Sequence, residues 1–230
     1  MNYQKNVALI CVAVASISCG KAEGDDTLVS RKHGLVTQMG MEKWPTSADG
    51  YVHIPVCFKQ APGFAQPPAY ALGWVKNAIL RSWNTVSNVR FEGLGMCAAG
   101  GGPAVVVLVK DDPSATEAQG NALGGPGALR YPDDVVSDAT SSANFALTTA
   151  NMSRKRIEYL AVHEMGHILG FHHEDARPDR PGPGKPCPRA AENPDPSFTN
   201  YLSVYDQEST MNYCSGNDSG QLTDIDVQAV

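Results

Sequence analysis

His163-Glu164-Met165-Gly166-His167-Ile168-Leu169-Gly170-Phe171-His172-His173 is the stretch on which the reading of this chain turns. His163 and His167 are four residues apart, so on an α-helix they lie one turn apart on the same face. Two imidazoles so placed can both reach one tetrahedral zinc ion, at about 2.0–2.1 Å per nitrogen. Glu164 follows the first of them and carries its carboxylate toward the side where a general base acts on water. Gly170 can take left-handed backbone, which ends the helix and lets His173, six residues after His167, swing in as the third ligand. His172 fits that spacing less well and reads as a solvent-facing or supporting histidine. A lone histidine on a helix is usually a packing or surface residue. Here four of the six histidines fall within one short run around a glycine and a glutamate, and that pattern is specific.

Working outward, the spacing predicts a helix from about Ser153 to Gly170. Ile157, Leu160, Ala161, Met165, Ile168 and Leu169 form its buried stripe, and the metal-facing histidines lie beside that stripe. Ser153 is a suitable cap, while Arg154, Lys155 and Arg156 oppose the helix dipole and read as a solvated face. Upstream, Val52–Phe58 alternates with period two, a strand whose Pro55 argues for an edge or a strand end. Leu72, Val75, Ile79, Trp83 and Val86 mark one face of a second helix. Val89–Gly93 reads as another strand. Ala104–Val109 is wholly apolar, as a strand covered on both faces is. The glycine-rich stretch from Gly120 to Arg130 reads as an irregular edge strand, and Asn144–Thr149 as a short strand or loop. Seven of the sixteen prolines lie between Pro178 and Pro196, so that segment is irregular, either a linker or a wall of the cleft. Strand, helix, strand, then a metal helix and mostly irregular chain describe an α+β fold with a cleft between two lobes.

The chain has 230 residues, 42% of them hydrophobic and 18% charged, which suits one domain with a sizeable core. The net charge is −6, and no basic cluster exceeds Arg154-Lys155-Arg156, so a nucleic-acid partner has no support. Lys5 precedes an apolar run from Val7 to Ile17, too short to span a bilayer but suited to a signal-peptide core. Small residues before Cys19 resemble a bacterial lipoprotein cleavage site, although Ser16 stands where such sites usually carry leucine. Lipid anchoring through Cys19 and ordinary secretion both stay open. The expected organisation is a signal peptide over 1–19, a tether or pro-segment over 20–47, and a catalytic domain over 48–230. Beyond Cys19, the cysteines Cys57, Cys97, Cys187 and Cys214 suggest two disulfides in an oxidising compartment. Cys57–Cys97 and Cys187–Cys214 are the pairs that would each tie segments within one lobe.

The metal run resembles the metzincin metallopeptidases, whose signature is H-E-x-x-H-x-x-G-x-x-H. Gly170-Phe171-His172-His173-Glu174, with Arg177, Asp179 and Arg180, is similar to the longer astacin signature. Ser209-Thr210-Met211-Asn212-Tyr213 resembles the astacin Met-turn, with Asn212 where those proteins usually carry histidine. Trp44, Ile54-Pro55 and the helix around Trp83 add a weaker likeness, so the resemblance spans roughly residues 44–230.

It implies a two-lobed, metzincin-like catalytic domain with a mixed twisted sheet, two long helices and a largely irregular C-terminal lobe. It further implies a zinc-dependent endopeptidase acting on protein or peptide substrates. His163, His167 and His173 would hold Zn2+, and Glu164 would be general base and then proton shuttle. Met211 would form an apolar floor under the imidazoles. Tyr213 would complete the metal shell or hydrogen-bond the oxyanion. Glu174 would pair with a mature N-terminus, and substrate would lie extended along the edge strand.

Some features depart from the family. The cysteines do not follow the usual astacin pattern. Glu23-Gly24-Asp25 is similar to the pro-segment aspartate motif but lacks its aromatic residue. Leu222–Val227 looks like the start of the family's last helix, yet the chain stops at Val230, so the expectation is a possible truncation there. Two rival readings are a matrixin-like metzincin and a zinc-stabilised surface binding domain without turnover. The position of Tyr213 and the Gly-Phe-x-His-Glu run count against the first. Glu164 counts against the second, because a structural zinc site needs no base.

Overall fold

An uninterrupted apolar strand needs cover on both faces, and Val105–Asp111 (β4) has it. Val105, Val107 and Val109 belong to the main core, whereas Val106 and Leu108 belong to a smaller core across the sheet. With Val52–Gln60 (β2), Val89–Met96 (β3), Gln119–Ala122 (β5) and Ala143–Leu147 (β6), it forms a five-stranded sheet of order β3-β2-β4-β6-β5. The first four strands in that order run parallel, and β5 runs antiparallel beside β6 at the edge. The computed structural model describes residues 42–114, 119–147, 153–177, 200–213 and 219–230, with the backbone of residues 36 and 37.

Pro55 does not mark an edge: β2 lies inside the sheet, between β3 and β4. The amide of Val52 donates toward β3 at Asn88, and alternation then aims position 55 at the β4 flank. Pairing with β4 begins only at Val56, opposite Val105, so a residue without an N–H loses no ladder bond there.

Two long helices cover one face of the sheet, Ala69–Arg81 (α1) and Arg154–Leu169 (α3). Val75, Ala78 and Ile79 of α1 meet Ile157, Leu160, Ala161, Met165 and Ile168 of α3 in the main core. The expected single helix through Val86 is broken at Ser82, and a short turn, Trp83–Val86 (α2), follows. The Ser82 hydroxyl donates to the carbonyls of Ala78 and Ile79 at 2.7 and 3.2 Å, satisfying the end of α1 from within. Trp83 is fully buried and donates to Val162 O at 2.9 Å, but Val86 leaves the expected face and is 36% exposed.

α3 begins and ends where the sequence indicates. The Ser153 hydroxyl accepts from Arg156 N, and Gly170 turns left-handed at φ 102°. The basic triplet is more than a solvated face. Arg154 and Arg81 clamp the buried Glu158 carboxylate at 2.8 and 2.6 Å, and Arg156 lies over the Tyr159 ring at 4.9 Å.

The described C-terminal segments are largely irregular, as expected. They hold a turn of 3-10 helix at Glu174–Ala176, a two-residue strand Asn200–Tyr201 (β7) antiparallel to Val36–Thr37 (β1), and Asp224–Gln228 (α4). Trp44, within segment 20–47, packs against the main core and donates to Ile168 O at 2.8 Å, so docked chain begins before residue 48. The Cys57–Cys97 disulfide is present and borders the smaller core. The signal-peptide run with Cys19, Glu23–Asp25, Asp179, Arg180, the proline-rich segment 178–196 and the Cys187–Cys214 pair lie outside the described residues.

Candidate metal centre

His163 and His167 leave one face of α3 a turn apart, and the left-handed Gly170 swings His173 beneath them. His167 Nε2 lies 3.2 Å from His163 Nε2 and 3.0 Å from His173 Nε2. Among the described residues these three form a group of metal-ligating side chains whose donor atoms all fall within 4.8 Å of one another. His173, not His172, completes the set, as the spacing indicates.

The other ring nitrogens explain why Nε2 faces inward. His163 Nδ1 lies 2.7 Å from Thr210 O, and His167 Nδ1 lies 2.6 Å from Phe171 O. A carbonyl only accepts, so Nδ1 of both rings carries the proton and donates, leaving Nε2 with its lone pair free to coordinate. Burial pushes all three imidazoles down to about 3, with a neighbouring imidazole adding to the effect on each. They are therefore neutral, the form that binds a cation. Three convergent neutral imidazoles are a donor set that fits Zn2+.

Glu164 is buried, with Oε2 lacking a hydrogen-bond partner among the described residues, and burial pushes its carboxyl up to about 8. It faces a cleft of about 320 Å³ shared by His167, His173, Tyr213 and the strand residues Gly120, Asn121 and Ala122. β5, the edge strand, forms one long side of that cleft. The Tyr213 ring stands against the triad, its centroid 4.1 Å from that of His173 and 5.0 Å from that of His163.

Met211 is fully buried beneath α3 and accepts from Glu174 N at 2.9 Å. Glu174 points away from the triad. Its Oε1 accepts from Arg177 Nη1 and Asp206 N, both at 2.9 Å, and Arg177 Nη2 donates to Ser203 O at 2.8 Å. Glu174 Oε2 is buried with no partner among the described residues, and burial, partly opposed by Arg177, pushes this carboxyl up to about 7.

Sequence reading missed three residues that shape the centre. Gly166 sits inside the quoted run as an unassigned position, yet a Cβ there would collide with Met211 Sδ. Gly120 passes directly beside the Glu164 side chain. Asp226, in α4, accepts from Ser209 Oγ at 2.6 Å and Thr210 N at 3.0 Å, fixing the turn whose carbonyl orients His163. Only Asp226 left a local trace: Thr223-x-x-Asp226 is a capping box.

The fold is similar to solved structures. Two structures of myroilysin match at 20% identity: one with TM-score 0.55 over 85% of this chain and 96% of that one, the other with TM-score 0.50 over 84% and 86%. High choriolytic enzyme 1, a hatching-enzyme zinc protease of the medaka fish Oryzias latipes, matches at 19% identity and TM-score 0.48 over 80% and 90%. No protein-family model matches the chain, and no curated protein sequence matches it. At this identity the myroilysin likeness establishes the fold alone, a mixed α+β architecture of the class expected from the sequence.

Proposed function

We propose that this chain is a zinc-dependent endopeptidase. The observation that carries the reading is the convergence of His163, His167 and His173, of which His167 and His173 line a cleft that Glu164 also lines. His163, His167 and His173 would hold zinc through their Nε2 atoms, and the ion would supply Lewis acidity toward water and a scissile carbonyl. Glu164 takes the proton from the attacking water and returns it to the leaving amine. The burial of its carboxyl group at the cleft supports that role. Tyr213 would serve either as a further ligand to that ion or as a hydrogen-bond donor to the oxyanion, and its ring lies against the triad. Met211 keeps the floor beneath the imidazoles dry, and Gly170 sets the turn that delivers His173.

Substrate lies extended along β5, whose outer edge offers main-chain hydrogen bonds to a polypeptide. Glu174 receives the amine of a matured N-terminus at its Oε2. The chain leaves the cytoplasm through its first nineteen residues, as a secreted protein or one anchored by lipid on Cys19, in a bacterial envelope. The Cys57–Cys97 disulfide supports an oxidising compartment.

A binding domain with structural zinc would close the fourth metal position with a protein ligand. The His/Cys/Asp/Glu group found among the described residues has three members, and two of them line the cleft. The deciding experiment is cleavage of an unfolded protein by the purified chain, with and without a zinc chelator, beside Glu164→Gln. Chelator-sensitive cleavage that falls by about 100-fold or more in a variant still binding one zinc supports the reading. Undiminished cleavage by Glu164→Gln sinks it.

A further inference from the structure

Gly120 lies in β5 opposite Phe145 of β6, at the strand bordering the cleft. Unlike Gly170, it does not adopt left-handed backbone, so its conformation is open to any residue. Glycine weakens a strand and gives it nothing to pack. The reason for a glycine here is space. A Cβ at position 120 would fall 2.5 Å from Glu164 Oε1 and 2.7 Å from both Cδ and Cγ. Three atoms of one side chain are met at once, so no small torsion of the carboxylate alone relieves the contact. Either Glu164 leaves its place or β5 moves off the cleft.

We infer that Gly120 is a positioning residue for Glu164: the edge strand is bare at this residue so that the catalytic carboxylate can stand between strand and metal helix. The inference rests on the role proposed for Glu164. Gly120 touches no reacting atom; it acts by setting which rotamer Glu164 can hold. On the helix side, Glu164 is part of α3 and cannot retreat without changing rotamer. A misplacement of about 1 Å at a reacting group costs on the order of 100-fold in rate.

The test is Gly120→Ala in the full zinc-loaded chain. The expected result is a fall in kcat of about 100-fold, KM within about twofold, and one zinc still bound. Glu164→Ala removes all three atoms that the Cβ would meet, so any loss of melting temperature that Gly120→Ala brings to wild type is absent in that background. Equal melting losses in both backgrounds, a loss confined to KM, or a loss of zinc overturns the inference. Should Gly120→Ala melt at a lower temperature, recovery in the double variant supports the same collision, and no recovery overturns it. Crystal structures of wild type and Gly120→Ala read the geometry without substrate. A displaced carboxylate on an unmoved β5 supports the inference, and a displaced β5 with Glu164 in place overturns it. Wild-type chain that binds zinc but cleaves nothing counts against the peptidase reading alone, and these crystals then decide Gly120.

Discussion

Gly166 and Met211 are in such close contact that a single added methyl would fill the space between them. A Cβ at 166 would run into Met211 Sδ and lie 3.2 Å from its Cε and 3.3 Å from Trp83 Cζ2. The ligand helix therefore rests on the methionine floor through backbone, not side chain. Gly166→Ala overpacks a site with no slack, because Met211 and Trp83 are both fully buried. The expected cost is about 1–3 kcal/mol, despite the better helix propensity of alanine. Urea unfolding measures it; an unchanged midpoint would mean that Met211 can move aside freely.

Asp226 holds the turn that orients His163. Its carboxylate accepts from Ser209 Oγ, Thr210 N and Thr223 N at 2.6, 3.0 and 3.1 Å, and Thr210 O in turn accepts from His163 Nδ1 at 2.7 Å. Asp226→Ala strips buried donors of their acceptor and is expected to cost about 2–4 kcal/mol. It is also expected to weaken zinc binding by about tenfold, since partners behind a ligating histidine set its orientation. Competition with a chromophoric chelator measures the second effect. Stability loss with full zinc affinity would separate the turn from the ligand.

Breaking Cys57–Cys97 frees a loop spanning 40 residues of sequence. Chain-entropy reasoning puts the cost at about 4 kcal/mol, and strain or residual structure lowers that toward about 2. The double replacement Cys57→Ala/Cys97→Ala should lower the denaturant midpoint accordingly. Reductant should shift wild type but not the variant; a variant still sensitive to reductant would place the effect at other cysteines.

His53 gives the surface a pH signature. Its ring is held by Glu92 at 2.6 Å and Asp49 at 2.8 Å, and these bonds, Glu92 first, raise its pKa above 6.5. A raised folded pKa means that the contribution is present below the unfolded value and is lost as pH rises through the folded one. The melting difference between wild type and His53→Gln should thus be greatest near pH 5 and vanish by about pH 9. Added salt should shrink it, because the group is exposed. A difference that grows with pH would contradict the assigned pairing.

The parts of this molecule legible in sequence are those fixed within a few residues. Ser153, Gly170 and the histidine spacing lie on one stretch of backbone, so cap, turn and ligand face follow from helix geometry. The apolar run of β4 likewise announces its own double burial. The break at Ser82 was hidden because Leu72, Val75, Ile79 and Trp83 keep helical spacing across it, while a serine hydroxyl competes for the last carbonyls. Pro55 misled because strand order, which leaves its flank unpaired, is a property of the sheet. In sequence, Gly120 belongs to an irregular edge strand and Gly166 is an unassigned position of the motif. Their meaning comes from Glu164 in one case and Met211 in the other, contacts that no local pattern encodes.

The carbonyl that fixes the His163 tautomer comes from Thr210, 47 residues downstream. Ion capture and docking of the C-terminal segment are for that reason two halves of a thermodynamic cycle, and the cycle must close. Whatever factor the docked segment adds to the affinity for the ion, the bound ion returns to the docking equilibrium. A chelator would thus act on this fold as a denaturant aimed at the turn around Thr210, and a cut beside that turn would act as a chelator.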